Sequence, residues 1–167
     1  MNNTANKVVN LSQLEFLCDD LKKHGHILVL TSGCFDLLHS GHVEYIDMAS
    51  NFGHLIIGIN SDNFVKKLKG EFRPIQDEDN RSKTIAGLEN VKLVTIFNDD
   101  MELIKAVKPN IYVSHNTARI SIWDDKERIQ LLDQIGATIK ELRGKKDSST
   151  DIIKRAAMSY KNEKIKK

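Results

Sequence analysis

Two histidines three residues apart, His39 and His42, are the side chains with the clearest capacity for chemistry in this chain. They lie in the stretch GCFDLLHSGH, which directly follows a short apolar run. Gly33 and Gly41 would allow the backbone to turn tightly and to approach a ligand closely. A helix predicted to begin immediately after Gly41 would add free N–H groups and a positive dipole end, so a phosphate chain is the expected ligand.

Other interpretations of the histidine pair are less favoured. One isolated histidine would be assigned to the surface or to a helix cap, but two of them beside Asp36 at a strand-to-helix junction indicate a site. A zinc site is disfavoured because no HExxH motif, cysteine pair or evident third ligand accompanies them. The sequence has neither GxGxxG nor GxxxxGK[ST], which excludes the dinucleotide fingerprint and the P-loop.

Composition predicts one globular domain and excludes several classes of protein. The chain has 167 residues, of which 40% are hydrophobic and 29% charged, typical of a globular domain with its own core. Because no apolar run approaches about 20 residues and no signal peptide is evident, we expect a cytoplasmic protein without a membrane partner. The net charge of +2 does not indicate nucleic acid. Cys18 and Cys34 predict no disulfide framework.

Alternating hydrophobic patterns predict an α/β fold. An amphipathic helix is predicted over residues 11–25, with Ser12 and Glu15 as its capping box. Strands are then predicted at 26–32, 54–62, 91–97, 110–114 and 137–142, and helices at 41–53, 77–90, 99–109, 124–136 and 148–161. The polar segment 63–81 is predicted to be a loop with at most one helical turn. This alternation predicts a Rossmann-like parallel sheet of about five strands with helices on both faces.

The segments that follow the strands should share one rim of this sheet. Ligands of such sheets bind beyond the carboxyl ends of the strands, near the topological switch point. Four segments are therefore expected to meet there: residues 31–42, 60–70, 114–119 and 143–150.

Three stretches resemble a known family. GCFDLLHSGH is similar to the G-x-F-D-x-x-H-x-G-H signature of the nucleotidyltransferase superfamily, in its cytidylyltransferase-like branch. NSDNFVKKLKGEFRPI followed by DEDNRSKTIAGLENV resembles the heptose 1-phosphate adenylyltransferase domain of ADP-heptose synthase, and LRGKKDSSTDIIKR is similar to the closing motif of that family. Glycerol-3-phosphate cytidylyltransferase shares the first and last motifs. The resemblance runs from about residue 27 to residue 156.

This resemblance implies the HxGH nucleotidyltransferase fold and an enzyme that uses an NTP with Mg²⁺. The favoured reaction transfers AMP from ATP to a sugar 1-phosphate, such as D-glycero-β-D-manno-heptose 1-phosphate, giving ADP-heptose for a surface polysaccharide. One alternative is a cytidylyltransferase acting on glycerol 3-phosphate or another polyol phosphate. A second alternative is a nucleotide-binding protein without catalysis. The resemblance also implies a homodimer.

The chain is interpreted as a single nucleotidyltransferase domain over residues 1–167. Within it we expect an N-terminal helix at 11–24, a core at 27–156 and a basic tail at 157–167. No separate kinase domain is expected.

The resemblance implies roles for individual residues. His39 and His42 would bind the triphosphate and stabilise the transition state, together with Lys69. The other expected nucleotide contacts are Cys34, Phe35, Arg143, Ser148, Ser149 and Thr150. The expected substrate contacts are Asp36, Lys66, Arg73, Arg81, His115 and Asn116. No metal ligand is assigned among the side chains.

Several of these residues also have a structural interpretation. The ring of Phe35 is expected in the core, and Asp36 is expected to pin the turn by accepting backbone N–H bonds. Arg73 and Arg81 could instead form surface salt bridges, and Lys66 could belong to a solvated basic loop. Ser148 to Thr150 could equally cap a helix.

Two departures from the family pattern concern the choice of substrate. The sequence VSHNTARIS stands where related enzymes carry a GGDY-like or GDDW-like stretch, so His115 and Asn116 replace a glycine and an acid. Lys92 replaces an aspartate before the third strand. The altered loop is expected to take part in selecting the base or the acceptor.

Overall fold

The structure is a computed structural model that describes residues 4–115, 122–143 and 149–165. Its strands are β1 (Leu28–Gly33), β2 (His54–Asn60), β3 (Val91–Phe97), β4 (Ile111–His115) and β5 (Thr138–Leu142). Its helices are α1 (Leu11–Lys23), α2 (Ser40–Ser50), α3 (Asp62–Lys69), α4 (Glu78–Ala86), α5 (Asp100–Val107), α6 (Lys126–Gln134) and α7 (Ser149–Ile165). Short 3-10 helices lie at Thr4–Asn6 and Ile122–Asp124.

The strands form one parallel sheet in the order β3-β2-β1-β4-β5. Strand β1 is central, and the direction of the chain along the sheet reverses between β1 and β4. That position is the topological switch point, where ligands of open α/β sheets bind. The predicted Rossmann-like sheet of about five strands is confirmed.

Two hydrophobic clusters, one on each face, hold the helices to the sheet. Alternate residues of a strand point to opposite faces, so β1 places Leu28 and Leu30 in one cluster and Val29 in the other. The first cluster receives side chains from α1, α5 and α6. The second receives side chains from α2 and α4, including Tyr45 and Ile85. The helices therefore cover both faces, as predicted.

Two local predictions are wrong. Helix α1 begins at Leu11 as predicted, but its capping box pairs Asn10 with Gln13 rather than Ser12 with Glu15. The asparagine side chain is among the best N-caps because its oxygen accepts an N–H of the first turn.

The segment after β2, predicted to be a loop, contains the eight-residue helix α3. The hydrophobic pattern did not reveal this helix, because Val65 is its only fully buried residue. Its ends carry the signal instead. Ser61 caps its first turn, and lysines occupy its last turn, where their charge opposes the negative dipole end.

Among the described residues, no helix is both long and apolar enough to cross a membrane. The expectations of a cytoplasmic location and of one domain over residues 1–167 stay predictions.

Candidate active site

The turn after β1 is shaped by Phe35 rather than by its glycines. Phe35 has a φ of +45°, a left-handed conformation that is uncommon for a residue with a Cβ. Gly33 contributes space instead, because a Cβ placed there would lie 3.1 Å from the Phe35 ring. The ring is buried in the cluster under α2, as expected. The turn therefore leaves β1 and enters α2 in a conformation that the core locks.

His39 and His42 lie together at the start of α2. His39 is the N-cap residue and His42 lies in the first turn, so both imidazoles stand where the helix presents its free N–H groups. Their rings stack with centroids 3.8 Å apart, and the His42 ring also contacts Phe35 at 5.3 Å. The structure thus brings the two predicted catalytic histidines into direct contact.

The electrostatic surroundings keep His42 neutral. Burial, the largest cause, and charge repulsion from His39, Lys69 and His115 together lower its pKa to about 4, against a smaller opposing effect of a hydrogen bond with the backbone of Leu37. An anionic ligand would reverse this balance, since an opposite charge at close range favours the protonated form. Two imidazoles beside a lysine form a site that is suited to a polyanion.

His115 and Lys69 complete this group from two other elements. Lys69 is exposed in the last turn of α3, and His115 ends β4 with its ring 4.9 Å from that of Tyr45. Burial lowers the pKa of His115, His39 lowers it further, and Glu141 opposes the shift. Lys66 is exposed one turn earlier in α3. Three segments that follow strands therefore converge at the rim, as predicted.

Tyr45 supports this group, and the sequence analysis did not identify it. Its hydroxyl lies 2.6 Å from the Thr31 hydroxyl and donates to the carbonyl of Val113 at 3.0 Å. These bonds connect α2 to β1 and β4. Its position three residues after His42 was the available signal, since it lies on the same helical face.

Asp36 pins the turn, as its residue type predicted. Its carboxylate accepts from the backbone N–H groups of Ile75 and Gln76 at 2.8 and 3.1 Å and from Nε of Arg73 at 2.6 Å. The side chain is 0% exposed. Asp36 therefore positions the 73–76 segment, and its assignment as a substrate contact is corrected because its buried carboxylate already binds the protein's own donors.

Arg73 lies in a buried ion pair rather than in a surface salt bridge. Its side chain is 13% exposed against Asp36, and Nη1 donates to the Thr150 hydroxyl at 3.4 Å. Nη2 is buried without a hydrogen-bond partner in the described part of the chain. One donor of Arg73 therefore remains for a ligand at the start of α7.

Arg81 is a structural residue, which corrects its assignment to substrate binding. Its side chain is 0% exposed. It donates at 2.6–3.0 Å to the carbonyls of Cys34, Asn60 and Gln76 and to the carboxylate of Asp62. All three guanidinium nitrogens are therefore engaged, and they join the histidine turn to the segments after β2 and before α4.

The closing motif reaches the same rim through α7. Ser149 donates from its hydroxyl to the carbonyl of Leu37 at 3.0 Å, and Thr150 contacts Arg73. Arg143 is exposed just after β5, at the carboxyl edge, and no contact with another described residue places it beside the histidines. Ser148 and Asn116, both predicted site residues, lie outside the described residues.

No described group of three or more His, Cys, Asp or Glu side chains is arranged to hold a metal ion. The histidine site instead offers nitrogen donors and positive charge at a helix N-terminus. Mg²⁺ commonly reaches enzymes on substrate phosphates, with few protein ligands of its own. This arrangement suits a Mg²⁺–NTP complex that enters as the substrate.

A parallel sheet, a histidine pair at a helix N-terminus over its switch point and a nearby lysine define an α/β nucleotide-binding protein. A family model described as cytidylyltransferase-like matches residues 30–155. The chain therefore belongs to the cytidylyltransferase-like family and is a nucleotidyltransferase, and the resemblance read from the motifs is confirmed.

Relatives and solved structures agree with this membership. The chain is 44% identical over 114 residues to a bifunctional protein HldE from Aliarcobacter butzleri. It is 46% identical over 113 residues to another from Nitratiruptor sp.. Each match spans 66% of this chain but only 24% of the relative, so the chain spans about a quarter of their length.

A lipopolysaccharide core biosynthesis protein from Thermoplasma volcanium superposes with a TM-score of 0.61 at 28% identity, covering 74% of this chain and 100% of that one. Pantoate-beta-alanine ligase from Francisella tularensis, at a TM-score of 0.57 and 14% identity over 85% of this chain and 68% of that one, shares the fold alone.

Proposed function

We propose that this nucleotidyltransferase transfers AMP from Mg²⁺-bound ATP to a sugar 1-phosphate, with D-glycero-β-D-manno-heptose 1-phosphate as the favoured acceptor. The observation that carries the proposal is the stacked His39–His42 pair at the start of α2, with Lys69 beside it. Similarity to the proteins named HldE and to a lipopolysaccharide core biosynthesis protein supports the choice of a heptose acceptor.

The proposed reaction needs no deprotonating base. An oxygen of the acceptor phosphate is already anionic, so it attacks the α-phosphorus directly, forming a new P–O bond as the bond to the bridging oxygen breaks. Pyrophosphate leaves with that oxygen. The protein must hold two anions in line and neutralise the charge that develops on the transferring and leaving groups.

The histidine pair supplies donors for this charge. Both imidazoles lie where the N–H groups of α2 also point, so they can donate to α- and β-phosphate oxygens while Lys69 contributes a point charge. Preorganised donors stabilise the transition state more than the ground state because charge accumulates there. Arg73, which has an unpartnered Nη2 among the described residues, and Thr150 would add contacts to the phosphates from the start of α7.

A cytidylyltransferase that uses glycerol 3-phosphate or another polyol phosphate is the second candidate, favoured by the description of the matching family as cytidylyltransferase-like. The phosphate chemistry would be the same. The difference lies in the base and in the uncharged part of the acceptor.

Pyrophosphate release with each NTP and each acceptor tests both candidates. Thermal stability with ATP, CTP, GTP and UTP in Mg²⁺ comes first, since a ligand at 100 times its dissociation constant adds about 2.7 kcal/mol. We expect turnover with ATP and heptose 1-phosphate. Turnover with CTP and glycerol 3-phosphate would replace the proposal by the second candidate.

Substitution of the histidines tests the assignment of the chemistry. His39→Ala and His42→Ala should each lower the rate by about 100-fold or more, whereas His24→Ala, in an exposed histidine that caps α1, should leave it unchanged. Equal activity in the three variants, with intact folding, would show that His39 and His42 do not stabilise the transition state.

A further inference from the structure

A polar cluster lies at the same carboxyl edge but on the opposite face of the sheet from the histidines. It is formed by Ser32 of β1, Tyr112 of β4, Asp100 at the start of α5 and Arg128 in the first turn of α6, with Asp125 at the cap of α6. Ser32 and Tyr112 share this face with Leu30 because strand side chains alternate. The cluster therefore flanks the switch point, one strand residue before the turn that carries the histidines.

The contacts within this polar cluster divide into tight and loose ones. Arg128 pairs with the carboxylates of Asp100 and Asp125 at 2.8 and 3.0 Å. The hydroxyl contacts are longer: Ser32 lies 3.3 Å from Asp100 and 3.4 Å from Tyr112, and Arg128 lies 3.3 Å from the Tyr112 hydroxyl. Hydrogen bonds donated by a hydroxyl usually measure about 2.7–2.8 Å between oxygens, and N–H···O bonds about 2.9–3.0 Å. The hydroxyls therefore retain hydrogen-bonding capacity.

The burial of these side chains makes their unused hydrogen-bonding capacity an indication of a ligand. The side chains of Arg128 and Asp100 are only 15% and 17% exposed, and Nε of Arg128 is buried with no hydrogen-bond partner among the described residues. A buried donor without a partner is costly, and a buried ion pair seldom stabilises a fold more than apolar side chains of the same volume would. Such a cluster at a ligand-binding edge is better explained by a ligand than by folding.

The charge of the polar cluster limits what that ligand can be. Two carboxylates surround one guanidinium, so the cluster is net negative and would repel a phosphate. Neutral hydroxyl groups fit, because a hydroxyl can donate to a carboxylate and accept from a guanidinium or a tyrosine hydroxyl. Phosphate groups are therefore suited to the histidine site, and hydroxyl groups of a ligand are suited to the polar cluster.

We infer that Ser32, Asp100, Tyr112 and Arg128 form the subsite that binds the hydroxyl groups of the acceptor and so select a polyhydroxylated sugar phosphate. The inference rests on the proposed function, and it deepens that function by naming the residues that choose the acceptor. The carbon chain of the acceptor extends from its phosphate at the histidine turn past the end of β1 to this cluster.

Steady-state kinetics with heptose 1-phosphate, at saturating ATP and then at saturating acceptor, test the subsite. Tyr112→Phe and Asp100→Asn should raise the KM for the acceptor by about tenfold or more, the usual effect of losing a hydrogen bond to a charged or buried group. The KM for ATP should stay within about twofold. Glu15→Gln is the matched control, since that carboxylate pairs with Lys108 at the other end of α5.

A truncated acceptor separates binding from structural support. With glycerol 3-phosphate, which lacks most of the hydroxyls, Tyr112→Phe should differ little from the wild type. An unchanged acceptor KM in Tyr112→Phe and Asp100→Asn, or a raised KM for ATP instead, would overturn the subsite while leaving the proposed function in place. Absence of turnover by the wild type with any acceptor would overturn both. If Asp100→Asn unfolds, Tyr112→Phe and Ser32→Ala still decide the result.

Discussion

Replacement of Arg81 tests the conclusion that this buried arginine supports the site without touching substrate. Arg81→Met preserves much of the volume but removes every donor, leaving the carbonyls of Cys34, Asn60 and Gln76 and the carboxylate of Asp62 without their partner. Each buried carbonyl left without its donor costs about 1–3 kcal/mol. Asp62 is 31% exposed, so the loss of its ion pair adds less than a fully buried pair would. With three such carbonyls, about 4 kcal/mol is a conservative value.

A loss of about 4 kcal/mol should lower the melting temperature of a chain of this size by roughly 8–16 °C. Thermal and urea denaturation of the ligand-free protein would measure it. Lys83→Met is the control, since Lys83 is an exposed residue of the same helix, and its effect should stay within about 0.5 kcal/mol. A melting temperature for Arg81→Met within about 2 °C of the wild type, combined with a large rise in acceptor KM, would refute the structural role.

Three further predictions address the core, the histidine site and the cysteines. Tyr45→Phe should lose about 1–3 kcal/mol of stability by removing two buried hydrogen bonds, and an unchanged urea midpoint would contradict this. His42, with a pKa of about 4, is harder to protonate than an unfolded histidine at about 6.5; its contribution to stability is complete above pH 6.5 and lost as the pH falls toward 4. His42→Gln should flatten that part of the melting-temperature profile, whereas parallel profiles would exclude it. Iodoacetamide at pH 8 should label the half-buried Cys34 before Cys18, which is 0% exposed with a pKa raised to about 12, as peptide mass spectrometry can show; equal labelling of the folded protein would contradict that burial.

Local sequence patterns were sufficient for most of the fold. Strand β3 was predicted with the bounds that the structure has, and the predicted order of strands and helices was confirmed except for α3. The patterns that predict strands and helices are both local. A strand that is buried on two faces requires a continuous apolar run, and a helix with one buried face requires apolar residues with a period near 3.6. Helix α3 was missed because it is short and polar, so its caps carried more information than its hydrophobicity.

The candidate site was predicted less evenly. His39, His42, Lys69 and His115 were expected to meet, and the structure brings them together. Cys34 and Phe35 lie in the turn as expected, although the left-handed residue is Phe35 rather than a glycine. The roles of all of these residues in catalysis stay predictions.

The sequence by itself determined that an α/β sheet places two histidines at a strand-to-helix turn, because the types and spacing of neighbouring residues carry that information. Only the tertiary structure decided which polar side chains form hydrogen bonds within the protein and which remain available to bind a ligand. Asp36 binds donors 37 to 40 residues away in sequence, and Arg81 donates to the carbonyl of Cys34, 47 residues away. Arg128 meets Asp100 and Tyr112 from another helix and strand. A polar group is satisfied or left available according to what packs against it, and that depends on distant segments that no local pattern specifies.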